Sequence, residues 1–77
     1  MEQRIKSIIA EISGKSDFKL DDNLIYILGF NSKNVMQLIL KIEQEFNISI
    51  EEDDLDIDNF NNVNSIIELI KKYSTQV

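Results

Sequence analysis

"LGFNSKNVMQLI", residues 28–39, passes from a glycine and a short polar run into an apolar pattern spaced like a helix, with Asn31 and Ser32 at the junction. Both residue types are favoured helix caps, because a side-chain oxygen there accepts a hydrogen bond from a first-turn amide that has no partner inside the helix. With Asn31 able to supply the cap, Ser32 falls at or just inside the first turn with its hydroxyl free to face outward. Beyond it, Val35, Leu38, Ile39, Ile42 and Phe46 recur at steps of three and four and predict a core-facing helix over residues 32–46. Met36 and Leu40 are surplus to that stripe. They follow Ser32 at steps of four, so they are expected on the serine's side of the helix as an exposed apolar patch.

Upstream, Ile5, Ile8, Ile9 and Ile12 give one apolar face opposite Glu2, Arg4, Lys6 and Glu11, a first helix that ends near Ser13 and Gly14. Residues 15–31 lack sustained helical spacing, yet Phe18, Leu20, Leu24, Ile25, Ile27 and Leu28 are too apolar for a solvated linker. This long loop is expected to lie across the core, with a short helical turn around Asp22 to Ile27 capped by Asp21 or Asp22, and with Gly29 marking the turn into the next helix.

Downstream, Asn47 to Ile50 is expected to end the central helix with Ile48 and Ile50 turned inward. In "EEDDLDIDNF", residues 51–60, six of the eight positions from Glu51 to Asp58 are acidic, while Leu55, Ile57 and Phe60 read as apolar anchors of a short third helix. Asn61 or Asn62 can cap a last helix whose Val63, Ile66, Ile67, Ile70 and Tyr73 face the core, with Lys71 and Lys72 in the final turn where positive charge suits the dipole. The expected fold is all-α: a four-helix bundle of three main helices plus one short helix, with a long loop between helices one and two, forming a single domain over residues 1–77.

At 77 residues the core is small and stability modest. The chain has neither cysteine nor histidine, which excludes disulfides, thiolate metal sites and a cysteine nucleophile, and removes the commonest general base. Ser32 is therefore a poor catalytic nucleophile: no histidine can activate it, and Lys33 is its neighbour in sequence. An enzyme is not expected, and one working through carboxylates alone ranks below any binding role. No segment approaches the roughly 20 uninterrupted apolar residues of a membrane span. "MEQRIKSIIAEIS", with alternating charges, does not read as a secretory signal, so a cytoplasmic location follows by default. A net charge of −6 argues against nucleic acid and favours partners with basic surfaces. Asp54, Asp56 and Asp58 imitate the opening of a calcium loop, but Asn59 stands where glycine is required and Ser65 where the bidentate glutamate belongs. The segment reads as a solvated acidic turn, and no metal site is expected.

Two readings of Ser32 compete. In the first it is only a cap, and the chain is a non-enzymatic helical interaction module that binds a partner helix through Met36 and Leu40. In the second it accepts a group from another enzyme. A helix N-terminus favours an attached phosphate through its amides and dipole, and the apolar pair beside the hydroxyl offers a place to dock.

Gly29-Phe30-Asn31-Ser32-Lys33, with "LILKIEQEFNISI" after it and "FNNVNSIIELIKKY" at the end, resembles the acyl and peptidyl carrier protein family over nearly the whole chain, in its freestanding form. The resemblance implies that Ser32 carries covalent 4′-phosphopantetheine, making this a phosphoprotein, with Asn31 ordering the turn and Gly29 allowing it. It further implies that acyl, polyketide or aminoacyl intermediates ride on the arm as thioesters between enzymes, as in fatty acid or polyketide biosynthesis. Expected partners are a phosphopantetheinyl transferase and acyl- or aminoacyl-loading and biosynthetic enzymes, contacted through Lys33, Met36, Leu40 and Glu43, by a monomer. Two departures stand out: Asn31 replaces the family's aspartate, and Lys33 its leucine. The length of the 51–62 segment and its "DNF" look more like standalone carriers of specialised pathways than the fatty-acid housekeeping type. Met36, Leu40 and the acidic segment are expected to matter more to partners than a charged start of the central helix.

Overall fold

The isoleucines of the first apolar stripe wind into helix α1, Glu2–Ser13, in which Ile5, Ile8 and Ile9 are buried. In the computed structural model, which describes residues 1–74, α1 is followed by a short helix α2 (Leu24–Leu28), a central helix α3 (Ser32–Phe46), two 3₁₀ turns (Glu52–Asp54 and Ile57–Phe60) and a last helix α4 (Val63–Ser74). Helix α1 packs against both α3 and α4, and the second 3₁₀ turn packs on α4. The described residues form an all-α bundle in which three main helices enclose the core.

Gly14 ends α1 in the left-handed conformation, φ 74°, and its N–H donates to the Ala10 carbonyl at 2.7 Å. A side chain would be strained there, which is why the stop falls on a glycine. The connection to α3 crosses the core as its composition requires: Phe18, Leu24, Leu28 and Phe30 are buried, and the Lys6 ammonium lies over the Phe18 ring. Ile27 is the exception, since it points to solvent from α2. The cap of α2 also differs from expectation. Asn23 Oδ1 accepts from the N–H groups of Ile25 and Tyr26, at 2.9 and 3.2 Å. Asp22 instead accepts from the Lys19 N–H at 2.8 Å, closing the turn before the helix. At the far end Asn62 caps α4, accepting from the Ser65 N–H at 2.7 Å.

The acidic segment departs further. A regular third helix is not formed; two 3₁₀ turns take its place, the first through bonds from Asp54 N–H to Glu51 O and from Leu55 N–H to Glu52 O. In an α-helix Glu52 would face Asp56 and Asp54 would face Asp58 four residues on, and like charges at that spacing destabilise the helix. Only Phe60 acts as the expected apolar anchor. Leu55 and Ile57 remain 45% and 46% exposed.

What holds the segment is polar. The Tyr73 hydroxyl donates to Asp54 Oδ2 at 2.6 Å and accepts from the Glu51 N–H at 2.8 Å, while Lys72 Nζ reaches both Asp54 oxygens at 3.1 and 3.2 Å. The Tyr73 hydroxyl and then Lys72 hold the Asp54 carboxyl below the usual carboxylate range. Partial burial, and then Asp54 itself, push the Tyr73 phenol up, and Asp54 pushes the Lys72 ammonium up.

The pH behaviour follows from these directions. A lowered carboxylate value gives stability that is present above the ordinary range and is lost as pH falls through the folded-state value. Raised values for Tyr73 and Lys72 give stability that is present below their ordinary range and is lost as pH rises through the folded-state values. In urea denaturation the advantage of wild type over Asp54→Asn should therefore be full near about pH 6, should shrink toward about pH 3, and should shrink again above about pH 10.

Candidate functional site around Ser32

Helix α3 begins at Ser32 because Asn31 closes the end of the chain just before it. Asn31 Oδ1 accepts from the Asn34 N–H at 3.0 Å, and Asn34 Oδ1 accepts from the Asn31 N–H at 3.1 Å. This reciprocal pair satisfies two of the amides a helix start leaves open. Asn34 was not singled out by the sequence reading, although its place three residues after a cap residue is the signal for such a box. Gly29, at φ 71°, turns the chain into this start, and its N–H closes α2 on Leu24 O.

Ser32 is exposed and takes no part in the cap. Its hydroxyl and the amides of the first turn lie at the positive end of a 15-residue helix that has no acidic residue in that turn. Lys33 follows it, also exposed.

Beside Ser32 lies a hollow of about 170 Å³, half open to solvent. Val35, Met36 and Ile39 of α3 form one wall; Leu55, Asp56 and Ile57 form the other, with Phe60 also in the lining. Met36, 56% exposed, thus shares this hollow with the serine as expected. Leu40, 54% exposed, is on the surface but borders a different groove, with Glu11 and Ile12 of α1. Glu43 belongs to the fold: partly buried, it accepts the Ile50 N–H through Oε2 at 2.8 Å and fixes the turn after α3. The wall from the acidic segment was missed. Its signal was the pair Leu55 and Ile57, apolar in an acidic run, which burial in the core does not explain.

These residues fit a covalently attached phosphoester. The acceptor oxygen is exposed, the helix end is electropositive, Lys33 adds a cation, and no carboxylate occupies the first turn to repel the charge. Gly29, Asn31 and Ser32 would hold the group at its root, and the hollow offers apolar cover next to it.

Comparison with known proteins agrees with this chemistry. A family model described as a phosphopantetheine attachment site matches residues 3–70. The chain is 35% identical to an acyl carrier protein of Buchnera aphidicola subsp. Baizongia pistaciae (strain Bp) over 75 residues, covering 95% of this chain and 94% of the relative. It is 34% identical to an acyl carrier protein of Phytoplasma mali (strain AT) over 73 residues, covering 92% of this chain and 84% of that one.

The cap makes a direct prediction. Asn31→Ala should lower stability in urea by about 0.5–2 kcal/mol, while Asn31→Asp, which keeps an acceptor oxygen and adds a negative charge at the helix start, should match or exceed wild type.

Proposed function

This chain belongs to the phosphopantetheine attachment-site family of carrier proteins, and from that premise we propose that it is an acyl carrier whose Ser32 is the attachment point. Members of the family are carriers and not enzymes, and covalently attached 4′-phosphopantetheine is their cofactor. When bound, that group supplies a flexible arm ending in a thiol on which an acyl cargo is held. The observation that carries the assignment to Ser32 is its exposure at a helix start already closed by Asn31 and Asn34, so that the hydroxyl has no structural task.

Each neighbouring residue then has a definable part. Gly29 sets the turn, Asn31 and Asn34 keep the first turn of α3 in register, and the helix end with Lys33 favours the negative charge that modification brings. This chain has no histidine to take the proton that Ser32 loses on modification, and we assign that base to the transferase. Two relatives named acyl carrier proteins favour acyl groups as cargo over polyketide or aminoacyl ones. Residues 1–77 would act as one carrier domain in the cytoplasm; among the described residues no helix is long and apolar enough to cross a membrane.

The partners are biosynthetic enzymes, and we assign them a basic surface. Met36 and Lys33 would meet them beside Ser32, Leu40 one turn further along α3, and the exposed carboxylates of Glu52, Asp53, Asp56 and Asp58 at the flank. Glu43 would add less to that contact, since its Oε2 already accepts the Ile50 N–H.

Two measurements test this reading. Intact mass after incubation with coenzyme A and the cognate transferase should rise by one phosphopantetheinyl unit in wild type and stay constant in Ser32→Ala; an unmodified wild type would overturn the assignment. Combining Glu52→Gln, Asp53→Asn and Asp56→Asn should slow association with a cognate enzyme on the order of tenfold at low salt and far less at high salt.

A further inference from the structure

The hollow beside Ser32 has two unlike walls. On the α3 side Val35 and Ile39 are buried, so their packing fixes the position from which Met36 leans out. On the opposite side every residue between Ile50 and Phe60 is exposed or half-buried. Apolar packing therefore fixes that segment at its two ends and leaves its middle to polar contacts.

Those contacts converge on Asp54, the residue next to Leu55. Tyr73 and Lys72 bind its carboxylate, and Asn59 Nδ2 donates to its backbone carbonyl at 2.9 Å. Opposing them, six carboxylates lie within eight residues and repel one another. Loosening the contacts would let this repulsion move the wall away from α3, and the hollow would enlarge and take a longer chain. In its clasped state the hollow, at about 170 Å³, is close to the ~150 Å³ of an engineered apolar cavity that takes up benzene, an occupant of about six carbons. An apolar chain entering it would cover Met36, Leu55 and Ile57, all of which are left exposed without one.

We propose that Tyr73, Asp54 and Lys72 are specificity-determining residues: by holding the Leu55–Ile57 wall against α3 they set the length of straight acyl chain that the hollow beside Ser32 admits. That the occupant is an acyl chain rests on the reading of Ser32 as the arm's attachment point. The hollow and its wall do not, and they are tested on the unmodified protein.

Straight-chain primary alcohols from butanol to decanol serve as the probe, titrated while the methyl resonances of Met36, Leu55 and Ile57 are followed. In wild type, affinity should rise about fourfold per added methylene and level off near hexanol. In Tyr73→Phe, which keeps the ring and loses the hydroxyl, the rise should continue for about two more methylenes, to near octanol, so that octanol and decanol bind on the order of tenfold tighter than to wild type. Asp54→Asn should shift the limit in the same direction. The same chain-length limit in all three proteins, or shifts that spare Leu55 and Ile57, would overturn the proposal. Intact mass after transferase treatment reports separately on Ser32, so failure of the attachment reading is distinguishable from failure of this one.

Discussion

Asn31 and Asn34 bind each other's backbone across the first turn of α3, and the use made of Ser32 depends on that pair. A helix start buried or capped by the serine itself would draw its hydroxyl into the fold. Here two neutral amide side chains do the capping, and the serine between them is left at the surface. The turn is held from behind as well: Phe30 is buried and its N–H donates to Leu24 O at 3.2 Å, while the Leu24 N–H donates to Asn61 O at 2.7 Å. The start of α3 is thus tied through α2 to the start of α4.

Two kinds of force divide the molecule. In the main bundle, side chains such as Ile5, Ile9, Leu38, Ile42, Ile66 and Ile70 are fully buried, and no polar or charged side chain among the described residues is buried with them. Ion pairs join α1 to α3 at the surface, Arg4 with Glu45 and Lys41 with Glu11, where such pairs contribute roughly 0–1 kcal/mol each. The 51–60 segment works the other way. Its hydrophobic share is one phenylalanine, and the clasp at Asp54 does the rest. In so small a domain this separation lets one region respond to pH and charge while the bundle beneath it stays packed.

The sequence made the main helices legible because their isoleucine and leucine stripes have no competing period, and the ends of α1 and α3 coincide with the expected residues. Where reading failed, a second local preference was present. Asp21, Asp22 and Asn23 are all competent caps, and only the chain's path decides that Asn23 serves α2 while Asp22 closes the turn before it. Leu55 and Ile57 carry an apolar signal that ordinarily means core, but like-charge repulsion broke the helix that would have buried them. Glu43 could be judged exposed from helical spacing; its bond to Ile50 comes from a chain reversal that no spacing rule encodes. Leu40 lies toward the serine's side by periodicity, and it still opens onto α1 because each step of four advances about 40° around the helix, so two steps carry it about 80° from Ser32.

The two departures from the family's motif act in the same direction. Aspartate at position 31 would place a negative charge against the positive end of α3; asparagine keeps the hydrogen bond and removes the charge. Lysine at position 33 adds a positive charge at that same end, where the dipole disfavours it by about 0.3–1 kcal/mol. The unmodified helix start is therefore more positive than its capping geometry requires, and nothing in its first turn offsets this. A phosphodiester on Ser32 would bring one negative charge to the centre of that excess, so the same substitutions that make the bare helix start less favourable would make the proposed modified one more so.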